Sequence, residues 1–95
     1  MRMTRYFFFN GIKPQAKIHI LAIPKMPVTD YNDFISKADN EMIKYFFDKI
    51  NEVAKGQGLI NSGFRIVTNN GKDANQEVPH FHFHILGGEN LKGIK

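Results

Sequence analysis

The segment 78–88, "VPHFHFHILGG", constrains the fold more than any other part of the chain because histidine alternates with apolar residues along it. In a β-strand, side chains at every second position lie on the same face. The alternation therefore predicts a strand over 78–86, which Gly87 and Gly88 end. We expect its apolar face in the core and its histidine face toward solvent, a ligand or a partner. The histidine face carries His80, His82 and His84, and the apolar face carries Phe81, Phe83 and Ile85.

Three further apolar runs predict strands at 5–9, 16–25 and 64–69. The last of these is followed by the polar, turn-rich segment 69–76 and then by the histidine-bearing strand. Because the two strands are consecutive, we expect them to pair as an antiparallel hairpin with a long loop.

Helical periodicity predicts one main helix over 39–56, with an apolar stripe at three- and four-residue steps along 42–54. The phenylalanines of this stripe are expected in the core. A shorter helix is predicted within 28–38, with Thr29 or Asp30 as its N-cap. Together these elements predict the α+β class: an antiparallel sheet packed against one main helix.

Size and composition fit one small domain spanning 1–95, with 42% hydrophobic residues and nine phenylalanines to fill its core. The absence of cysteine excludes a disulfide framework and a thiolate metal site. The net charge of +4 is spread along the chain, which argues against a nucleic acid polymer as partner. No run approaches the roughly 20 apolar residues that span a bilayer, and the aromatic run near the N-terminus is shorter than a secretory signal needs. We therefore expect a cytoplasmic protein without a membrane partner.

Three functions for the histidine face remain open from the residues alone. The histidines could be structural, although three in register on an apolar strand, with His19 on another strand, disfavour this. They could bind a metal, but same-face positions lie about 6.6 Å apart along a strand and no acidic residue accompanies them within the strand. They could act on a phosphate, since an imidazole can attack phosphorus and its neighbours can transfer protons near neutral pH.

The motif "HFHFHIL" matches His-φ-His-φ-His-φ-φ, the pattern of the histidine triad (HIT) superfamily, where φ is an apolar residue. The segments "IKPQAKIHILAIPK" and "GFRIVTNNG" also resemble that family, and the resemblance runs over about 9–93. It is greatest to the histidine triad nucleotide-binding branch of purine nucleoside phosphoramidases. This resemblance implies cleavage of a nucleoside monophosphate from a phosphoramidate, or from a related phosphoester or anhydride, through a covalent nucleotidyl-histidine. The implied protein is a hydrolase or transferase and a homodimer that binds a purine nucleotide or nucleoside phosphoramidate without metal or cofactor.

The resemblance also implies a role for each histidine. His82 would be the nucleophile, and the backbone carbonyl of His80 would bind its other ring nitrogen. His84 would contact the phosphate, with His19 in the same catalytic cluster. The substrate-binding residues implied in addition to His84 are Asn69, Gln76 and Glu77.

The chain departs from the family pattern at three positions and at its N-terminus. Gly11 stands where the family usually has an aspartate that binds the ribose hydroxyls, and Asn75 stands where a loop glycine is common. Glu77 stands where animal members usually have a serine, although the bacterial branch often has glutamate there. The family usually carries about thirty more residues before this point, so the resemblance implies an N-terminally shortened HIT-like fold. We expect weakened nucleoside binding from these departures. The alternative function is a catalytically weak nucleotide-binding or scaffold protein that keeps the fold without a complete nucleoside pocket.

Overall fold

The computed structural model describes residues 6–11 and 14–93, which contain four strands and two α-helices. In chain order these are β1 (Tyr6–Asn10), β2 (Ile18–Pro24), α1 (Tyr31–Lys37), α2 (Asn40–Gly56), β3 (Arg65–Val67) and β4 (Phe83–Gly87), with a 3₁₀ turn at Lys72–Ala74. The four strands form one antiparallel sheet in the order β1-β2-β4-β3. The predicted α+β class is therefore confirmed. The predicted first strand began at residue 5, which lies outside the described residues.

The pairing of β4 with its two neighbours places His84, the last histidine of the motif, on a central strand of the sheet. Val67 of β3 is opposite His84, which confirms the predicted hairpin. On the other side, Leu21 of β2 is opposite His84. His19 lies two residues before Leu21 and therefore on the same face, one diagonal step from His84 and within reach of an imidazole.

Both helices begin at an aspartate whose side chain accepts a backbone N–H of the first turn. Asp39 accepts from the N–H of Met42 at the start of α2. Asp30 accepts from the N–H of Asp33 at the start of α1, so Asp30 and not Thr29 is the N-cap. Such caps satisfy amide groups that have no partner inside the helix. Within the described residues, no helix is long and apolar enough to cross a membrane.

The core lies between the helices and the face of the sheet opposite to the histidines. The ring of Phe46 on α2 packs against Phe34 of α1 and against Phe81 and Phe83, with ring centroids between 5.4 and 5.9 Å apart. Phe47 touches Phe83 edge-on but stays 37% exposed, so its predicted place in the core is only partly right. The buried core consists of Ile20, Ala22, Val28, Phe34, Phe46, Ile50, Ala54, Leu59, Phe81, Phe83 and Ile85.

The strand bearing the histidines is shorter than predicted. β4 begins at Phe83, because the N–H of Phe81 bonds to the carbonyl of Val28, before α1, and not to a neighbouring strand. The N–H of His80 turns back to the carbonyl of Val78. The alternation of faces nevertheless continues outside the strand: Phe81 is buried while His80 and His82 are partly exposed. The prediction of two different faces is thus right, and only the extent of the strand was wrong.

Candidate active site

His19 and His84 form a direct ring-to-ring hydrogen bond on the sheet face opposite to the core. Nε2 of His19 lies 2.8 Å from Nδ1 of His84. The backbone N–H of Gln15 donates to Nδ1 of His19 at 3.1 Å, so that nitrogen is unprotonated. A neutral imidazole carries one hydrogen, which must then be on Nε2 of His19 and is donated to His84. His84 therefore accepts at Nδ1 and keeps its own hydrogen on Nε2.

The ring of His82 has the opposite tautomer. Its Nδ1 lies 2.8 Å from the carbonyl oxygen of His80, which can only accept, so Nδ1 carries the hydrogen. Nε2 of His82 is left with a lone pair. The hydroxyl of Thr68 donates to the carbonyl of His82 at 2.7 Å and fixes its backbone. The contact between His82 and the His80 carbonyl that the family resemblance implied is present.

The ring of His80 is bonded to the end of β2. Its Nε2–H donates to the carbonyl oxygen of Pro24 at 2.9 Å. The three histidines of the motif therefore have three different ring partners: a β2 carbonyl, a carbonyl of the motif itself, and another histidine.

Burial keeps the His19–His84 pair neutral. Removal from water lowers the pKa of His84 to about 4, and the neighbouring His82 and His19 add to the effect. Burial also lowers the pKa of His19, whose side chain is 7% exposed. Because a charged imidazole is the form that burial disfavours, both rings are neutral at pH 7. This agrees with the hydrogen-bond directions, since His84 can accept from His19 only while its Nδ1 is unprotonated.

A polar cleft of about 480 Å³ opens beside these rings. It brings together five of the residues to which the sequence assigned a site role: Asn69, Gln76, Glu77, His82 and His84. His19 lies buried behind His84, and His80 lines a different cavity. The sequence analysis did not identify Gln15, which lines the cleft and fixes the tautomer of His19 through its backbone.

The second cavity, of about 270 Å³, lies on the other side of His82 and is mostly apolar. His82 and Val78 line both cavities. The remaining lining of this apolar cavity comes from the end of β2 and from His80: Leu21, Ile23, Pro24, Lys25 and His80. The ring of His82, whose Nε2 has a lone pair, therefore lies between the polar cleft and the apolar cavity.

The side-chain amide of Gln76 forms hydrogen bonds to three backbone groups of the protein. Its Oε1 accepts from the N–H of Gly71 at 2.9 Å, and its Nε2 donates to the carbonyls of Thr29 at 2.7 Å and Val78 at 3.1 Å. Both amide hydrogens are thus committed, and none is left for a substrate. Gln76 lines the cleft as expected, but it holds the loop 71–78 in place instead of offering a donor from its side chain.

Asn70 joins the same loop to the start of α1. Its Oδ1 accepts from the N–H of Tyr31 at 2.9 Å, and its Nδ2 donates to Oδ1 of Asn32 at 2.8 Å. Sequence reasoning missed this link, because the partners are 38 and 39 residues apart.

Asn75 has a left-handed backbone, with φ of 59° and ψ of 44°. Glycine adopts this conformation most easily, and asparagine is among the residues that tolerate it best. The asparagine therefore supplies the backbone conformation for which a loop glycine is commonly used.

Gly11 lies directly against the ring of His19. A Cβ atom at this position would be 2.8 Å from Nδ1 of His19, and the Gly11 N–H donates to the His19 carbonyl at 2.8 Å. Such a contact is too short for any side chain at residue 11 unless the ring moves. The glycine thus permits the end of β1 to close over His19, a role that the sequence did not suggest.

Within the described part of the chain, no group of three or more His, Asp or Glu side chains has the arrangement that a metal ion requires. The facing nitrogens of His19 and His84 are bonded to each other, and Nδ1 of His82 is bonded to a carbonyl. These nitrogens are therefore committed to hydrogen bonds within the protein.

Two known proteins are similar to this chain in sequence over most of its length. A HIT-like protein of Rickettsia prowazekii is 49% identical over 86 residues, which cover 90% of this chain and 72% of that protein. A purine nucleoside phosphoramidase of Escherichia coli is 34% identical over 83 residues, 87% of this chain and 69% of the enzyme.

Solved structures give the same result. A histidine triad protein of Clostridium difficile superimposes with a TM-score of 0.84 at 36% identity, covering 100% of this chain and 82% of its own. A HIT family hydrolase of Legionella pneumophila superimposes with a TM-score of 0.87 at 33% identity, covering 97% of this chain and 81% of its own. The sequence pattern of the HIT domain family matches residues 2–91. By sequence and by fold, this chain belongs to the HIT family.

Proposed function

We propose that this protein cleaves a nucleoside monophosphate from a phosphoramidate, or from a related ester or anhydride, with His82 as the nucleophile. The observation that carries this proposal is the hydrogen bond from Nδ1 of His82 to the His80 carbonyl. It leaves the lone pair of Nε2 for attack on phosphorus and stabilises the imidazolium that forms when Nε2 becomes bonded. The similarity to the purine nucleoside phosphoramidase of Escherichia coli supports a purine nucleoside phosphoramidate as the substrate class.

The reaction takes place in two displacements. In the first, a bond forms between Nε2 of His82 and phosphorus, the P–N bond breaks, and the departing nitrogen takes up two protons from the solvent and leaves as an ammonium ion. In the second, water attacks phosphorus, the bond to Nε2 breaks, and the protons of water are released. Overall, one water converts the phosphoramidate into a nucleoside monophosphate and an ammonium ion.

His84 and His19 serve the phosphoryl group in this scheme. Because Nδ1 of His84 accepts from His19, the Nε2–H of His84 is the hydrogen that remains for a substrate in the cleft. A donor of fixed orientation that needs no reorganisation stabilises the charge that develops on phosphoryl oxygens. His19 is a positioning residue that fixes the tautomer of His84, and Gln15 fixes that of His19.

The two cavities beside His82 suit the two parts of such a substrate. Asn69 and the loop around Asn75 line the polar cleft and would bind phosphoryl oxygens. The apolar cavity lined by Leu21 and Ile23 would take an apolar part of the substrate. A catalytically weak nucleotide-binding protein is the second candidate function. Gly11 favours it, because glycine offers no side chain to a ribose.

A homodimer formed through α2 and the sheet belongs to the same proposal. β3 is one of the two edge strands of the described sheet, and its Ile66 is 42% exposed. Phe47 on α2 and Phe64 beside β3 are also exposed, at 37% and 36%. Exposed apolar groups on an edge strand and a neighbouring helix are suited to pairing with a second copy.

The decisive experiment is hydrolysis of a fluorogenic adenosine phosphoramidate by the natural chain and by His82→Ala. We expect turnover only in the natural chain, and a mass increase of one adenylyl group after rapid quenching in an alkaline denaturant, which preserves the acid-labile bond between histidine and phosphorus. Equal background rates in both proteins would overturn the enzymatic function. Calorimetry with AMP then separates the candidates, because the binding protein would still take up AMP without any turnover.

A further inference from the structure

The polar cleft carries a negative charge although the chain as a whole is positive. Among the described residues that line the cleft, no lysine or arginine is present, and Glu77 is the single carboxylate. The chain as a whole has a net charge of +4. The other polar side chains in the lining are amides and imidazoles: Gln15, Asn69, Asn75, Gln76, His82 and His84.

Glu77 keeps its charge available to a ligand. Its side chain is exposed, and no hydrogen bond or ion pair with another described residue engages its carboxylate. Lys72 lines the outer side of the same loop together with Glu77, but the two do not form an ion pair. The burial that keeps His84 neutral means that this ring adds no positive charge either.

A phosphoryl group in this cleft has to be bound without a cationic side chain from the described lining. A phosphoramidate or phosphodiester has one negative charge on phosphorus, and the amide and imidazole donors suit such a monoanion. A second negative charge would be repelled by Glu77, whereas a positive charge on the departing group would be attracted.

We infer that Glu77 makes the site selective for substrates whose leaving group is an amine carrying a further positive charge. This inference rests on the proposed function, because it assumes that phosphorus lies at Nε2 of His82. The balance of charge supports it. The substrate has one negative charge on phosphorus, and the nucleoside monophosphate released by water has two. The same carboxylate that attracts a cationic substrate therefore also promotes release of the dianionic product.

The test compares three adenosine phosphoramidates that differ only in the charge at the far end of the leaving amine. Diaminoethane gives a cation, propylamine is neutral, and β-alanine gives an anion. We expect the kcat/KM of the natural chain to fall in that order. Glu77→Gln should reduce the cation-to-neutral ratio by about fivefold, the size expected of an exposed charge pair. Glu41→Gln removes an exposed carboxylate from the first turn of α2, away from the cleft, and should leave the ratio unchanged.

Binding separates a failure of this inference from a failure of the proposed reaction. The aminoethyl and propyl esters of AMP would be titrated by calorimetry into the natural chain and into Glu77→Gln. Preference for the aminoethyl ester in the natural chain and its loss in Glu77→Gln uphold the inference, even if no substrate is turned over. Equal affinities of the natural chain for the two esters, an undiminished preference in Glu77→Gln, or no binding of either ester would overturn it.

Discussion

Nδ1 of His82 lies 2.8 Å from the carbonyl oxygen of His80, two residues earlier in the chain. In a regular strand, carbonyls point sideways to neighbouring strands while side chains stand perpendicular to the sheet. Both residues precede β4, where the N–H of His80 turns back to the carbonyl of Val78. The contact that gives His82 its tautomer thus lies outside the regular strand.

This contact predicts losses of activity of very different size for alanine at the two histidines. His82→Ala should lower kcat by at least about a thousandfold, since it removes the proposed nucleophile. His80→Ala keeps the backbone carbonyl and should lower kcat by less than about tenfold. It loses the ring bond to Pro24, at about 1 kcal/mol of unfolding free energy. Steady-state kinetics and urea unfolding measure both effects. A loss of activity in His80→Ala as large as in His82→Ala would contradict the role of the carbonyl.

The contact between Gly11 and His19 predicts that a side chain at residue 11 damages the histidine cluster. A Cβ atom 2.8 Å from Nδ1 must displace the ring, which weakens the bond from His19 to His84. Gly11→Ala and Gly11→Asp should therefore both lower kcat and the melting temperature. Gly11→Asp should not gain AMP affinity, although the family resemblance implies an aspartate at this position that binds the ribose hydroxyls.

The matched control for Gly11 is Gly56→Ala. No atom within 4 Å would meet a Cβ at Gly56 at the end of α2. This substitution should leave activity unchanged and stabilise the fold by about 0.5 kcal/mol or leave it as it is. Melting curves and kinetics of the three variants would refute the steric argument if Gly11→Ala behaved like Gly56→Ala.

The sequence predicted those features of the site that depend on local pattern. The alternation through Phe81 and His82 predicted two faces, and Asp39 with the apolar stripe predicted α2. The features that it did not predict depend on contacts of backbone atoms. The N–H of Phe81 is taken by Val28, which shortens β4, and the tautomer of His19 depends on the N–H of Gln15. Almost every residue type has the same backbone N–H and carbonyl groups, so the sequence does not indicate which of them form these contacts.

Because the side-chain amide of Gln76 is hydrogen-bonded within the protein, we expect a substitution of Gln76 to affect substrate binding through the loop 71–78. Gln76→Glu keeps the acceptor for Gly71 but cannot donate to Thr29 and Val78. We expect KM to rise more than kcat falls, because the loop that lines the cleft loosens while His82 keeps its own contacts. Hydrogen exchange at the Gly71 and Gln76 amides should become faster.

The control for Gln76 is Asn61→Asp, the same change from amide to carboxylate at an exposed position away from the polar cleft. It should alter neither KM nor the exchange rates. If Gln76→Glu lowered kcat without changing KM or exchange, the side chain would act on the reaction directly and the loop argument would be wrong.

The lowered pKa values of His84 and His19 predict that stability falls on mild acidification. The unfolded chain takes up protons on these rings below about pH 6.5, whereas folded His84 does so only near pH 4. Between these values the unfolded state binds more protons than the folded state, so the unfolding free energy rises with pH through this window. The stability that the neutral rings contribute is therefore lost as pH falls from about 6.5 toward 4. Urea unfolding at pH 5 and pH 7 should show lower stability at pH 5. In His84→Gln this difference should shrink, because the largest contributor is removed. The lowered pKa of Asp33 acts below this window, since its ordinary value is 3.8. An unchanged difference in His84→Gln would mean that His84 is not held neutral by the fold.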